Sequence, residues 1–225
     1  IALPRRNQIS SIGHASFGLP QINYFHFTTH WLGNSIIASR LGHPLLYSQY
    51  SHRFTPEISS LYNLETVQVS TRWAFVEALS FININKIGYL HPDERLPLLL
   101  NDASSRKKKK LIYVSRRKST RSLPSEEFIE LKLIKLGFQI VFCEELDFNS
   151  QRDLFLDAQI VVGAHGAGLV NAVYSKTATS VLEIMPINRI NRCVEWQSYI
   201  CGHKYKRIYY HPNDSAMDLS SKIVR

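Results

Sequence analysis

The chain has 225 residues, a formal net charge of +9 at pH 7, 44% hydrophobic and 20% charged residues. This composition excludes wholesale disorder, and the length allows one large domain or two smaller α/β halves. No run approaches the ~18–20 consecutive apolar residues that a membrane-spanning helix needs. The first residue is Ile1 rather than Met, as expected of a processed or trimmed chain.

Few elements are predicted for residues 1–95, because this segment is rich in aromatic residues and histidine and has weak periodicity. Thr55-Pro56-Glu57 is typical of a helix start, since it combines an N-cap, proline at the first helical position and an early acid. The predicted elements are a helix through His26, Trp31 and Ile36, a strand at Leu45–Tyr47, a helix at Thr55–Leu64 and a strand at Val67–Ser70.

A polar and basic segment follows. Asn101–Lys110 contains nothing that can be buried and predicts an exposed linker, so we expect an N-terminal half at residues 1–100 and a C-terminal half at residues 101–225. A chain this basic seeks phosphates, in nucleic acid, in anionic lipid or in a nucleotide diphosphate. The basic window consists of Arg106, Lys107, Lys108, Lys109, Lys110, Arg116, Arg117, Lys118 and Arg121.

Apolar runs alternate with helical segments from residue 111 onwards. The runs are short and nearly uncharged, which is typical of strands covered on both faces. The alternation predicts βαβ crossovers and a parallel sheet with helices on both faces, in which ligands bind beyond the carboxyl ends of the strands. The predicted strands are Leu111–Val114, Phe138–Phe142, Ile160–Val162 and Val181–Ile184, followed by a helix and a strand between Arg192 and Tyr210 and a final helix.

Helix ends in this half carry capping signals. Ser125 is predicted to cap the first helix, with Glu126 and Glu127 at its positive N-terminus, and Gly137 to end it. Asn149 is predicted to cap the next helix. The apolar residues that recur at helical spacing in the first helix are Phe128, Leu131 and Ile134.

The three cysteines, Cys143, Cys193 and Cys201, are odd in number and far apart in sequence. This excludes a disulfide framework or a zinc ribbon. We expect buried free thiols in a reducing compartment.

The most informative segment is Gly163–Asn171, where a buried strand runs into glycines and alanines before a helix. Small residues let a ligand approach the backbone, and a helix N-terminus offers N–H groups to an anion. His165 ends the strand and is expected to point into the crevice. The pattern differs from GxGxxG, so NAD is not inferred. By itself it fits a tight turn with a hydrogen-bonded histidine equally well.

Charged residues lie beyond two other predicted strands. Arg116 and Arg117 follow the first strand, with Arg121 close by, and a guanidinium can grip a diphosphate. A solvated basic loop is the alternative. Glu183 closes the fourth strand, where it can accept hydrogen bonds from ribose hydroxyls. Lys107–Lys110 are expected to stay in water.

His26 and His30 are four residues apart and share one face of a helix. Such a pair can bind zinc, but the HExxH glutamate and an obvious third ligand are missing. A general base or a hydrogen bond to sugar is therefore favoured over metal. Two histidines packed among aromatic side chains are the alternative.

These motifs, taken in order, resemble glycosyltransferase family 61, also called DUF563 or the capsular-polysaccharide type. The match covers roughly residues 111–186, and Asn23–His26 resembles the early His motif of the family. The matching pieces are Ile112–Arg116 with Arg121, Ser125–Glu126, Gly137–Phe138, Gln151 with Leu154–Phe155 and Ala158, His165–Leu169 with Asn171, and Leu182–Ile184 with Pro186.

The resemblance implies an α/β fold of two Rossmann-like halves (GT-B-like) facing a cleft. It implies an inverting hexosyl- or pentosyltransferase that moves a sugar from a nucleotide donor, often UDP, to a hydroxyl of a glycan, polysaccharide or glycoprotein. No cofactor is expected, and the absent Asp-x-Asp motif indicates no metal. His26, then His30, is the expected base, although the family often has an acid at position 30 and asparagine at position 125. The implied donor-binding residues are Arg116, Arg121, His165, Gly166, Ala167, Gly168, Asn171 and Glu183.

Two other functions fit the sequence. A catalytically degenerate module could bind a nucleotide or glycan without turnover. Nucleic-acid binding would explain the charge, but no binding motif supports it. A milder expectation is that the lysine run touches an anionic membrane. The unpaired cysteines favour a cytoplasmic protein, peripheral at a membrane, whereas eukaryotic relatives face the secretory lumen.

Overall fold

The structure is a computed structural model that describes residues 8–9, 13–15, 24–42, 44–48, 52–69, 75–76, 79–80, 96–100, 110–119, 121–189 and 191–224. The chain divides into two compact units, Ile1–Ile87 and Gly88–Arg225. Most of the predicted linker, residues 101–109, lies outside the described residues.

The first unit contains a parallel four-stranded sheet. Its strands are β2 (Gly13–Ala15), β3 (Leu45–Ser48), β4 (Thr66–Val69) and β6 (Leu79–Ser80), in the order β4-β3-β2-β6. Two further strands, β1 (Gln8–Ile9) and β5 (Phe75–Val76), pair with each other in parallel. The helical segments are α1 (Tyr24–His26), a π-helical stretch (Phe27–Leu32), α2 (Gly33–Arg40) and α3 (Thr55–Leu61).

The second unit contains a parallel five-stranded sheet. Its strands are β7 (Lys110–Val114), β8 (Gln139–Val141), β9 (Ala158–Ala164), β10 (Ser180–Pro186) and β11 (Lys204–Tyr210), in the order β11-β10-β9-β7-β8. The helices are α4 (Leu96–Leu100), α5 (Glu126–Lys135), α6 (Phe148–Leu156), α7 (Cys193–Ile200) and α8 (Ala216–Val224), with 3-10 segments at Cys143–Glu145 and Ala167–Tyr174. The predicted parallel α/β sheet is confirmed.

Both faces of this sheet are covered. On one face Tyr113, Val162 and Ile184 pack in a core cluster with residues of α5 and α8. Strand residues of the opposite parity, such as Ile112 and Val161, are also fully buried. Strands buried on both faces have continuous apolar runs, which is why they could be predicted from the sequence.

Helix α5 differs from its prediction at its start and on its buried face. Ser125 has a left-handed backbone (φ 49°) and its side chain caps no N–H group. The helix buries Ile129 and Leu133, whereas Leu131 and Ile134 are more than half exposed. The apolar spacing pointed to the wrong face because the buried face also carries two carboxylates, described below. Gly137, at φ +87°, ends the helix as predicted.

Helix α6 is capped by Asp147 rather than by Asn149. The Asp147 carboxylate accepts a 2.7 Å hydrogen bond from the backbone N–H of Ser150, while Asn149 lies inside the first turn. This N-cap satisfies one of the N–H groups that a helix leaves unpaired at its start.

We expect Asp147→Ala to lower Tm at neutral pH, and Asn149→Ala, as the control, to leave it nearly unchanged. The hydrogen bonds from Ser150 lower the pKa of Asp147 below its ordinary value. The stabilisation is therefore complete above about pH 4 and is lost as the pH falls through the lowered pKa. Thermal unfolding of both variants from neutral to strongly acidic pH measures this. An Asp147→Ala deficit that persisted in acid would contradict it.

Candidate active site

The site lies at the point where the strand order of the second sheet reverses. The chain passes from β7 to β8 on one side and then places β9 on the other side of β7. At such a switch point the two loops that leave the strands diverge and open a crevice beyond their carboxyl ends, where open α/β sheets bind ligands. Here the loops are the one after Val114 and the turn at His165 and Gly166.

Arg116 spans this switch point. Its Nη1 donates a 2.7 Å hydrogen bond to the carbonyl oxygen of His165, and its Nε donates to Oγ of Ser119 at 3.1 Å. The side chain thus joins the loop after β7 to the turn after β9. Its Nη2 donates no hydrogen bond within the described part of the chain.

A buried carboxylate shapes the loop that carries Arg116. Glu126, 2% exposed, accepts hydrogen bonds from the hydroxyl of Tyr113 (3.0 Å), the backbone N–H of Arg116 (2.8 Å) and that of Leu123 (3.1 Å). Burial and this carboxylate raise the pKa of Tyr113 well above its usual value, so its hydroxyl remains a donor. Glu126, predicted to serve the N-terminus of α5, instead fixes the loop.

Close packing at the switch point requires glycine. A Cβ atom on Gly163 would lie 3.0 Å from the backbone oxygen of Val114, and one on Gly168 would lie 2.9 Å from Cγ1 of Val114. At Gly166 a Cβ atom would lie 2.0 Å from Nη1 of Arg116. The small residues of this turn therefore let β7, β9 and the Arg116 side chain approach one another.

Three arginines concentrate positive charge at this edge of the sheet. Burial is the main cause of the lowered pKa of Arg116, and the charges of Arg121 and Arg189 lower it further, while the carboxylates of Glu126 and Glu144 act in the opposite direction. Arg121 and Arg189 are exposed, and Arg189 follows the carboxyl end of β10. Like charges held close together favour the binding of an anion that is multiply charged.

Behind the turn, His165 belongs to a buried polar network. Its Nδ1 lies 2.7 Å from Oε1 of Glu183, which is fully buried within β10. The other carboxylate oxygen accepts hydrogen bonds from Nε of Arg207 (2.9 Å) and the hydroxyl of Tyr205. Both oxygens of Glu183 are thus occupied and unexposed, so in this structure it supports His165 rather than facing ribose.

Asn171 is fully buried as well. Its amide donates a 2.7 Å hydrogen bond to Oε1 of Gln151, whose own amide donates to the backbone oxygens of Cys143 and Leu146. These bonds connect the 3-10 helix to α6. Asn171 therefore holds the helix that follows the turn, and no part of its surface is exposed.

A family model, Glycosyltransferase 61, matches residues 24–182, well over half of the chain. The chain belongs to this glycosyltransferase family. The predicted family is thereby confirmed, although the match ends one residue before Glu183. The family implies glycosyl transfer from a nucleotide-sugar donor to a glycan acceptor. No curated protein matches the chain.

The match to glycosyltransferase 61 also includes the early histidine. His26 is 7% exposed and lies at the end of α1, directly before the π-helical stretch. The backbone of His30 belongs to that stretch, but its side chain lies outside the described residues. Such π-helical segments occur frequently at functional sites. A further histidine, His52, packs against Phe27, and burial together with Arg53 lowers its pKa to about 4.

The remaining expectations concern cysteines, metal and membrane. All three cysteines are free and buried, as predicted, and burial raises the pKa of each thiol to about 12.

Within the described ranges, no group of three His, Cys, Asp or Glu side chains could hold a metal ion. None of the described helices is long and apolar enough to cross a bilayer. In the run Lys107–Lys110 the structure describes Lys110, whose Nζ lies 3.8 Å from Oδ2 of Asp157.

Several residues of this candidate site were not predicted from the sequence. Arg189 follows the carboxyl end of a strand, as Arg116 does, so its position in the sequence could have predicted it. Tyr205 and Arg207 could not, because they reach Glu183 only through the pairing of β11 with β10, in which Glu183 is opposite Arg207.

Proposed function

We propose that the protein is an inverting, metal-independent glycosyltransferase. It moves a sugar from a nucleotide donor, with UDP as the first nucleotide to test, to a hydroxyl of a glycan or polysaccharide. The observation that carries the proposal is the bridge from Arg116 to the backbone of His165 at the switch point, surrounded by Arg121 and Arg189.

In this proposal the donor diphosphate binds between the arginines and the start of the 3-10 helix at Ala167. Arginine forks pair with phosphate oxygens, and the first N–H groups of a helix have no acceptor within the helix. As the sugar leaves, negative charge grows on the diphosphate. Positive groups that are already held in place stabilise this negative charge without having to move. In other transferases a metal ion stabilises the same charge.

The first unit would be the acceptor half of a GT-B-like pair of Rossmann-like halves. Its parallel sheet, in the order β4-β3-β2-β6, supports this assignment. Acceptor recognition would then fall to this unit, which includes the early histidine.

A nucleotide-sugar panel tests the function. The protein should gain thermal stability with UDP-sugars, because a ligand that binds only the folded state raises Tm. It should then release UDP when a glycan acceptor is added, and an excess of EDTA should not slow it. Stabilisation without release of UDP under any acceptor would instead identify a binding module. Absence of stabilisation by every nucleotide sugar would reject the proposal.

His26 is the first candidate for the base that deprotonates the acceptor, and His30 is the second. We expect His26→Gln to lower kcat by about 10²–10⁴-fold with KM for the donor little changed, because general base catalysis acts on the chemical step. His30→Gln is the comparison variant. If His30→Gln lost the activity and His26→Gln kept it, the assignment would be reversed.

Gly166→Ala should weaken donor binding about tenfold or more. The new Cβ would occupy the place of the Arg116 guanidinium, which must move and lose its bond to His165. The displaced guanidinium would then lose its hydrogen bond to the donor phosphate, and hydrogen bonds to charged groups contribute roughly 1.5–3 kcal/mol. Calorimetry with UDP-glucose measures the loss. Arg116→Ala is the internal control, since adding Gly166→Ala to it should cost nothing further. An additive loss would show that the glycine acts independently.

A further inference from the structure

Helix α5 carries large apolar side chains on the side that faces away from the sheet. Its inner side is buried through Ile129 and Leu133. The large apolar side chains of its outer side, which are between 36% and 55% exposed, are Phe128, Leu131, Ile134 and Leu136, the residue that follows the helix. Residues three or four apart are neighbours on a helix, so these side chains form one patch. Soluble monomers rarely expose such patches, which mark sites of interaction with a partner.

Two lysines lie among these apolar side chains. Lys132 and Lys135 are exposed, and Nζ of Lys132 lies 5.1 Å from the centre of the Phe128 ring. The exposed acid of the helix, Glu127, is in the first turn, whereas both lysines are in the last turn. The stem of a lysine can lie along an apolar surface while its ammonium group reaches outwards. The outer face of α5 therefore combines an apolar contact area with positive charge.

This charge determines which partner suits the outer face of α5. In a symmetric dimer the same face would meet itself, so Lys132 and Lys135 would oppose their own copies, in a chain whose net charge is already +9. A membrane with anionic lipids instead offers negative charge at its surface and an apolar layer directly beneath it. An amphipathic helix in this interface buries its apolar side chains to a depth of about 5–10 Å and keeps its lysines near the headgroups.

We propose that the outer face of α5 binds the second unit peripherally to membranes that contain anionic lipids. The apolar side chains would enter the boundary between headgroups and acyl chains, and the two lysines would contact the negative headgroups. Glu126, at the start of α5, accepts a hydrogen bond from the backbone N–H of Arg116, so the membrane contact would lie beside the crevice. Binding to lipid does not depend on the proposed function.

Co-sedimentation with lipid vesicles tests the proposal. The protein should bind vesicles of phosphatidylcholine mixed with phosphatidylserine more tightly than vesicles of pure phosphatidylcholine, because the serine headgroup makes the surface negative. Added salt should weaken the binding to the mixed vesicles, since it screens the attraction between charges. No binding to the mixed vesicles, or equal binding to both kinds, would overturn the proposal.

Two double variants locate the contact. Leu131→Gln with Ile134→Gln should lower the affinity for mixed vesicles by about tenfold or more, because the apolar burial is lost. Lys132→Gln with Lys135→Gln should lower it by roughly fivefold for each charge removed and should weaken the preference for phosphatidylserine. Both double variants should keep the Tm of the wild type, since the replaced side chains are exposed. Wild-type affinity in either one would contradict the proposal.

Matched controls change exposed side chains elsewhere in the second unit. Lys204→Gln with Lys206→Gln removes two exposed lysines of β11, the edge strand opposite β8. Tyr199→Gln removes an exposed aromatic side chain of α7. Both controls should bind the mixed vesicles as the wild type does. Equal losses in the two double lysine variants would show that total charge rather than α5 determines the binding, and would overturn the proposal.

Fluorescent labelling gives a readout that does not depend on a loss of binding. The three native cysteines are buried, so a cysteine introduced at an exposed position should be labelled selectively. A polarity-sensitive fluorophore on Leu131→Cys should shift its emission to the blue when mixed vesicles are added, and one on Tyr199→Cys should not. Absence of a shift at Leu131→Cys, or an equal shift at both positions, would overturn the assignment to α5 and leave the proposed function standing.

Discussion

Arg116→Ala should lower kcat/KM for the nucleotide sugar by about 10²–10³-fold, the usual cost of removing one preorganised group that stabilises transition-state charge. Arg116 is half buried at the switch point and bonded to the backbone of His165. Its loss would remove the proposed phosphate contact and the link between the two loops. Steady-state kinetics with the donor at varied concentration would measure it.

Arg117→Ala is the matched control. Its side chain lies one residue further along, but it pairs with Glu130 at 3.2 Å and faces the ring of Phe142. This pair is partly exposed, so its loss should cost at most about 1 kcal/mol of unfolding free energy. The control should keep kcat/KM within a few-fold of the wild type. Equal losses in the two variants would mean that the basic loop acts only through its total charge.

Glu126→Ala should have the largest effect on stability, lowering the unfolding free energy by roughly 3–5 kcal/mol. Two buried donors, on Tyr113 and Leu123, and a partly buried one on Arg116 would lose their acceptor. A hydrogen bond to a charged group contributes roughly 1.5–3 kcal/mol, and three that share one acceptor are not additive. Denaturant unfolding followed by circular dichroism measures the change.

Glu127→Ala is the control for this stability effect, because Glu127 is adjacent in sequence but exposed. It should change the unfolding free energy by less than about 0.5 kcal/mol. Comparable losses in the two variants would show that both carboxylates act on the N-terminus of α5, as the sequence suggested, rather than one of them on the loop.

The sheet of the second unit could be predicted because its strands are covered on both faces and therefore appear as uninterrupted apolar runs. A second rule, that ligands bind beyond the carboxyl ends of parallel strands, pointed to Arg116 and His165 separately, and the pairing of β7 with β9 brings them together. The buried face of helix α5 escaped prediction because Glu126 and Glu130 are buried, at 2% and 5% exposure, through bonds to residues of the loop after β7. Polarity alone assigns such residues to solvent.

The polar network behind His165 was also beyond prediction. Glu183 lies in the middle of a strand, and its partner Arg207 is brought opposite by pairing with β11. The choice of that partner depends on the register of two strands that are separated by a helix. The local sequence does not predict this pairing of Glu183 with Arg207. Arg207 offsets the free-energy cost of burying the carboxylate only after the sheet has formed.

The strand order described above also bears on the kinetics of folding. The pairing of β7 with β9 joins residues about fifty positions apart in the sequence. The chain between them, which includes β8 and α6, forms a long loop that this pairing must close. The crevice at the switch point therefore exists only after this long loop has closed, which is a slow, late event for a parallel sheet. A nucleotide sugar bound there should retard unfolding while leaving the refolding rate almost unaltered. Protection from proteolysis by the donor would then reflect a longer lifetime of the native state.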